Sequence, residues 1–408
     1  MTDHRRLCLL VNASHFLDHY LLLVLPTAAI AMPVWFGASY AERLGLGFGM
    51  TLAFGFGHLP FGFLADRVPR VAILRLFLFA SAGAALLVAL ARSPFELAAA
   101  GTLLGAALAI YHTVGTPLVV ACMGSSGRHL GVNGVWGNAG VATASLGTAV
   151  LMGFGGWRAA FIVPGLLALA LGMLSLRLQG PPAAPREPVD PVRSATGAGS
   201  RRAFGVLALS ALMGGLLFQA LTFALPRLLA DLAEAGQDGL VGVGMLVAAT
   251  TLLGALAQFA IGRLAEHLPA GRLFQGLNLV LLAGLALVAT GQALAVAAGV
   301  AMAMIALFGL FTVEDGMMMA VIPPSWRSRG MGLAYLASFC TAGAALPLVA
   351  WSREAGGGGF GLLALLLLGL AAVTFLAGLF LPARLTGPAG ILRQDGAQPL
   401  TDGAKVAT

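Results

Sequence analysis

Apolar residues run along this chain in long blocks separated by short polar turns. Twelve blocks can be marked, at roughly 7–32, 45–64, 71–91, 97–123, 132–154, 158–178, 203–229, 239–262, 273–290, 293–322, 331–351 and 359–382. Each approaches or exceeds the ~20 residues that cross ~30 Å of hydrocarbon as a helix. Inside lipid every backbone polar group needs a partner within the protein, so the blocks are expected to be helices. The ninth and tenth are parted only by Thr290-Gly291-Gln292, the least marked boundary. The first block carries Asn12, His15, Asp18 and His19 and ends on no small-residue cleavage site, so it is expected to stay as a span.

The polar turns repeat across the chain. Gly62-Phe63-Leu64-Ala65-Asp66-Arg67-Val68-Pro69-Arg70 returns, degraded, as Gly262-Arg263-Leu264-Ala265-Glu266-His267-Leu268-Pro269. Leu25-Pro26 matches Leu225-Pro226, and Ala109-Ile110-Tyr111-His112 matches Gly309-Leu310-Phe311-Thr312 at the same offset. A duplicated unit of six spans follows. The stretch 179–202, rich in Pro, Gly, Ser and Arg, reads as a flexible cytoplasmic linker between an N-terminal six-helix bundle, 1–178, and a C-terminal one, 203–383. The tail, 384–408, is polar and expected to be disordered and cytoplasmic. The fold class is therefore an all-α membrane protein of twelve transmembrane helices in two pseudo-symmetric bundles, with a site expected near the midplane between them.

Composition agrees. Hydrophobic residues make up 59% and charged residues 10% of 408 positions, against about 25% charged in soluble domains. The net charge of +7 could suggest a nucleic-acid partner, but its distribution does not. With the N-terminus inside, 18 of the 23 Lys and Arg fall in the even-numbered loops and the two tails, leaving Arg43, Arg92, Arg158, Arg227 and Arg353 outside. That bias sets both termini in the cytoplasm. No nucleic-acid partner is expected, and a monomer is. Arg far exceeds Lys, which together with much Ala and Gly fits a bacterial inner membrane protein. Cys8, Cys122 and Cys340 lie far apart, in or beside apolar blocks, with neither a disulfide nor a metal spacing.

Ionisable groups within the blocks cost ~2.5–3.5 kcal/mol each on insertion scales, so each needs a reason. Asn12, His15 and His19 follow the three–four spacing of one helix face, with Asp18 beside them. Asp18 is the first candidate proton carrier, His15 its tuning partner, and Asn12 and His19 candidate substrate contacts. The fourth block adds Tyr111 and His112, and the seventh Gln219, to the substrate-binding set. In the tenth, Glu314 is expected to face the cavity and share in proton coupling. Its neighbour Asp315 is placed in the binding set, near the interface or against a cytoplasmic arginine. Arg227, after Pro226, is expected to snorkel. His15 and His19 form the one H-x3-H spacing within the cavity-lining blocks, and no metal site is expected from it; a metal as cargo is the weaker alternative. The five glycines Gly131, Gly134, Gly137, Gly140 and Gly147 suit close helix packing or sliding equally. No G-x-S-x-G, H-E-x-x-H or G-x4-G-K-[ST] occurs, so neither an enzyme nor a cofactor is expected.

The Gly62–Arg70 turn, its copy and Gly156-Trp157-Arg158 at the sixth block resemble the major facilitator superfamily. His15-Phe16-Leu17-Asp18 leading to Leu25-Pro26, Ser39-Tyr40-Ala41 and Tyr111-His112 are similar to its fosmidomycin-resistance branch of drug exporters. The resemblance implies a carrier that exports a small organic compound against protons by rocking its halves about a central cavity lined by the first, fourth, seventh and tenth helices. It also implies a conformational lock in which Asp66 meets the start of the eleventh helix, aided by Gly62, Arg67 and Arg70, with Gly262 and Glu266 as the weaker copy. Thr113 stands where that branch has proline, and no proline lies near Gly147. Uptake of an organic anion or metal chelate therefore stays as an alternative, and a transport-inactive sensor or assembly factor as a second.

Overall fold

A computed structural model describes residues 3–65, 67–123, 127–179, 198–234, 239–322 and 327–381. Among these every regular element is helical: α1 (Asp3–Leu22), α2 (Val24–Ala31), α3 (Tyr40–Gly45), α4 (Phe48–Ala65), α5 (Arg70–Leu90), α6 (Pro94–Leu108), α7 (Tyr111–Met123), α8 (Gly127–Ser175), α9 (Ala198–Leu232), α10 (Leu240–Leu264), α11 (Ala270–Ala289), α12 (Ala293–Val321), α13 (Arg327–Cys340), α14 (Ala342–Ala355) and α15 (Gly361–Gly378), with one 3-10 turn at Val34–Phe36. Among the described residues, eleven helical segments are long and apolar enough to cross a membrane. The fifth and sixth apolar blocks lie in one of them, α8, whose 49 residues would reach about 74 Å if straight. The helix is interrupted at Gly155 (φ −149°, ψ 23°) and Gly156 (φ 66°, ψ −171°). The second pair of angles is open to glycine and few other residues.

Four of the membrane-capable segments are each built from two helices. α1 gives way to α2 at Leu23, where Pro26 has no N–H to offer the Leu22 carbonyl. α6 gives way to α7 at Ala109-Ile110, and Thr113 donates its hydroxyl to the Ile110 carbonyl at 2.7 Å. α3 and α4 part at Leu46-Gly47, and α13 and α14 at Thr341. Intact helix starts use ordinary caps. Ser39 and Glu42 form a reciprocal capping box on α3, and Ser93 caps α6 with Pro94 in its first turn. The turn at 290–292 does separate α11 from α12. The linker is shorter than expected, because α9 already begins at Ala198; residues 180–197 and the tail lie outside the described residues.

The first eight helices pack mainly among themselves, with α1 along α7 and α8, α5 between α6 and α8, and α4 on α6. The later ones do the same, α11 lying against α12 and α15, and α9 against α12, α13, α14 and α15. Contacts between the two groups run through α8 with α10, α4 with α13 and α14, α3 with α14, and α2 with α9. Asn138 on α8 donates to Gln258 on α10 at 2.9 Å within that contact. Large apolar side chains face outward over the whole surface, Phe154, Leu294 and Phe95 among them. In lipid such a surface carries no hydration penalty.

Candidate functional site

The polar face of α1 meets α7 and α8 behind the break that ends α6. Glycines on α8 make the meeting close: a Cβ added at Gly140 would stand 2.3 Å from the Phe16 carbonyl oxygen, and one at Gly137 2.6 Å from His15 Nε2. Small residues at these positions let the helices approach until the His15 ring nests in α8. Three of the five glycines, Gly137, Gly140 and Gly147, face α1 in this way, while Gly131 and Gly134 face open space.

His15 Nδ1–H donates to the Asn133 carbonyl oxygen at 2.8 Å. That fixes the hydrogen on Nδ1 and leaves Nε2 as an acceptor. His19 Nε2–H donates to it at 3.2 Å. The Asn133 amide donates to Asn12 Oδ1 at 2.9 Å and to the Tyr111 hydroxyl at 3.0 Å. Tyr111 in turn stacks on His15, ring centroids 4.8 Å apart. Asn12 and Tyr111, expected to touch substrate, are buried and hold His15 from behind.

His112, on the first turn of α7, completes a cluster. Its ring lies 5.4 Å from that of His15 and 5.2 Å from that of His19. One ligating nitrogen from each of these three half-buried histidines falls within 4.8 Å of the others, the one such group of His, Cys, Asp or Glu among the described residues. Spacing alone offered only the His15–His19 pair; the third imidazole arrives through the fold. Asp18 is 0% exposed. Its Oδ2 lies 3.1 Å from His112 Nε2, close enough for an ion pair but out of line for a hydrogen bond, so neither carboxylate oxygen has a hydrogen-bond partner. Two further side chains wall the cluster. His58 on α4 lies 5.8 Å from His112, centroid to centroid, and Phe339 at the end of α13 lies 4.6 Å from His112. Phe339 stacks flat on His58 at 4.8 Å.

A second polar point lies on α12. Glu314, 6% exposed, accepts from the Ser210 hydroxyl of α9. It lines a small cavity with Gly214, Leu217, Leu281, Phe311 and Thr374. No Lys, Arg or His forms an ion pair with it among the described residues. Asp315 points elsewhere and accepts from the Tyr335 hydroxyl at 3.0 Å. Of the two placements expected for Asp315, near the interface or against a cytoplasmic arginine, its half-buried side chain beside exposed Tyr335 fits the first. Gln219 is buried on α9.

The lock residues are less informative. Asp66 lies outside the described residues. Arg67, Arg70 and Glu266 are exposed. Among the described residues, a Cβ at Gly62 would meet nothing within 4 Å, and one at Gly262 only Thr312 at 3.6 Å.

Sequence reasoning did not single out His58, Asn133, Phe339 or Ser210. His58 carried a usable signal, an ionisable group in an apolar block. It also missed an arginine cluster at the opposite end from these turns. Asp231 on α9 accepts from Arg353 of α14 at 2.7 Å and pairs with Arg227 at 2.8 Å. Both guanidinium groups lie 5.7 Å from the Tyr40 ring of α3. Beside them the Ser39 hydroxyl donates to Glu354 at 3.3 Å. Arg227, expected to snorkel, is held in this cluster.

A family model described as Major Facilitator Superfamily matches residues 8–347. The chain belongs to that superfamily. No curated protein matches it in sequence. Among solved structures, the superfamily member resembles a bacterial homolog of the human lysosomal transporter Spinster, in its inward-facing and occupied conformation, with TM-score 0.69, 17% identity, and 96% of this chain and 97% of that one covered. The nucleoside transporter NupG, solved as a point mutant, gives 0.71 at 14% identity, covering 91% of this chain and 99% of that one. A D-xylose–proton symporter gives 0.68 at 14%, covering 94% and 98%. At these identities the likeness speaks for the fold.

Proposed function

We propose that this superfamily member is a secondary transporter that works by alternating access and exports a small organic compound in exchange for protons. The chain crosses a bacterial inner membrane twelve times, with the Gly155–Gly156 break as the turn between the fifth and sixth crossings. Residues 1–178 and 203–383 form the two moving bundles, and both termini are cytoplasmic. The protein works as a monomer. The arginine cluster around Asp231 and Tyr40 closes the outer side.

The observation that carries the reading is a pair of buried carboxylates inside membrane-capable helices, Asp18 on α1 and Glu314 on α12. A carboxylate at membrane depth costs free energy unless it has a task. Of the two, Glu314 fits proton coupling better. Ser210 on α9 is its hydrogen-bond partner, and Asp315 is the other acid beside it on α12. With no cation paired to it among the described residues, a proton neutralises it while the cavity is closed and leaves when the cavity opens to water. Asp18 and the three imidazoles then form the polar wall that receives substrate. Export rests on the likeness of His15–Asp18 and Tyr111-His112 to drug exporters.

The test is a Glu314→Gln variant in an efflux-deficient host challenged with a panel of antibiotics and metals, followed by flux in inverted vesicles. Wild type should raise tolerance to at least one compound and alkalinise the lumen of inverted vesicles as that compound enters it. The Gln variant should lose proton-driven accumulation at least tenfold yet retain substrate exchange across vesicles without a gradient. Proton-driven accumulation at the wild-type rate in this variant would remove Glu314 from the mechanism, and influx in place of efflux would reverse the direction.

A further inference from the structure

We infer that His15, His19 and His112 form a coordination site for a divalent first-row transition metal ion, with Asp18 supplying the compensating negative charge. That the ion binds follows from the cluster alone; that it is cargo, bare or carried by a small organic anion, rests on the transporter reading above.

The first observation is geometric. Three imidazole nitrogens within 4.8 Å of one another surround a point that each could reach after a small inward shift. Nitrogen ligands sit ~2.0–2.1 Å from zinc, which sets them ~3.4 Å apart in a tetrahedron. The contact between His19 and His15, already at 3.2 Å, is at that spacing.

The second is the support behind the ring. His15 donates its Nδ1 hydrogen to the Asn133 carbonyl, so its Nε2 lone pair points into the cluster. A metal-ligating histidine is ordinarily fixed this way through its other nitrogen. Tyr111 stacked on the ring and Gly137 beneath it leave His15 little room to turn away.

The third observation points to a cation. Asp18 is fully buried, and neither of its oxygens has a hydrogen-bond partner. Burying a carboxylate that no hydrogen bond satisfies is costly. Its neighbour at 3.1 Å is an imidazole nitrogen that is likewise without a hydrogen bond. A divalent ion among the three rings gives the carboxylate its counter-charge. His58, whose buried Nε2 also has no hydrogen-bond partner, stands next to His112 and lies outside the three-nitrogen group. Imidazole donors favour zinc, copper, nickel and cobalt, whereas magnesium and calcium prefer all-oxygen sites. The site should therefore discriminate by ligand chemistry and not by charge alone.

The experiment is a zinc titration of the purified full chain in detergent, without a polyhistidine tag, against a competing chromophoric chelator. One zinc per chain should bind, a large excess of magnesium should not displace it, and X-ray absorption should show imidazole nitrogens at about 2.0 Å. His19→Ala and His112→Gln should each weaken binding at least tenfold, while His267→Ala, at an exposed turn, should not. Size-exclusion profiles matching wild type show that the variants are folded. If one variant fails to fold, the other still decides. Absence of stoichiometric zinc, or wild-type affinity in the folded variants, overturns the site. Proteoliposome flux of zinc, with and without citrate, then separates a bare ion from a chelate. Zinc that binds but moves in neither form overturns the cargo assignment and leaves the site standing.

Discussion

Asn133 holds three residues of the site at once. Its main-chain carbonyl takes the His15 hydrogen bond, and its side-chain amide serves Asn12 and Tyr111. It is 4% exposed, and its amide partners Asn12 and Tyr111 are buried with it, so neither finds water if the amide is lost, while the His15 bond to the main chain remains. Removing one partner of a buried hydrogen bond costs about 1–3 kcal/mol, because the other is left dry. Asn133→Leu should therefore lower the thermal midpoint in detergent by several degrees, while Asn12→Leu in the same background should add little, since both act through one network. Equal and additive losses from the two substitutions would show that the network is not shared. At this scale the sequence was partly legible. The three–four spacing of Asn12, His15 and His19 told which face of α1 is polar. It could not tell depth, so Asn12 and Tyr111 were expected against substrate although they lie behind His15. His112 was visible as an odd residue in an apolar block. That it meets His19 is a long-range fact that no local pattern contains.

The elements of greatest consequence are α8 and the broken helices. α1 and α8 touch through main chain at Gly140, where a Cβ would stand 2.3 Å from the Phe16 carbonyl. A backbone atom cannot step aside as a side-chain tip can. Gly140→Leu should force α1 outward, costing about 1–3 kcal/mol as overpacking does, and should abolish any function that needs His15 and His112 together. Gly131→Leu, with nothing within 4 Å of its added Cβ, is the control and should fold and function. Thermal unfolding and function measured on both variants decide this; a tolerated Gly140→Leu would mean that the two helices are not seated as described. Apolar blocks located the helices well, since a missing polar group is a strong signal over twenty residues. Breaks at Leu23, Ala109-Ile110 and Thr341 escaped, because a change in backbone course leaves hydropathy unaltered. Pro26 stands in the Leu25-Pro26 repeat, and nothing in that pattern marks it as the cause of a break. Thr113, noticed only for not being proline, closes the α6–α7 break with its hydroxyl.

At the scale of the whole molecule the repeat in the sequence has a counterpart in the helix contacts. Early helices pack chiefly on early ones and late on late, with few contact lines between. One of these lines ends in the Ser39–Glu354 and Tyr40–arginine contacts. If the two groups rock against each other, those contacts break in every cycle. A Ser39→Cys, Glu354→Cys pair joined by a short bifunctional thiol reagent, in a background with Cys8, Cys122 and Cys340 replaced by serine, should stop transport, and each single cysteine treated alike should not. Undiminished transport in the joined protein would mean that this end does not open. The cluster's charges could be counted from the sequence and even assigned to the outer side. Their mutual pairing could not, since Tyr40, Arg227, Asp231 and Arg353 come from three helices.

Phe339 belongs to α13, yet it lies flat against His58 of α4 and beside His112 of α7. Phe339 thus ties the histidine cluster to a helix of the other group. Under the alternating-access reading proposed above, parting of the two groups would draw Phe339 away with α13, so the imidazoles would be uncovered by the same movement that opens the cavity.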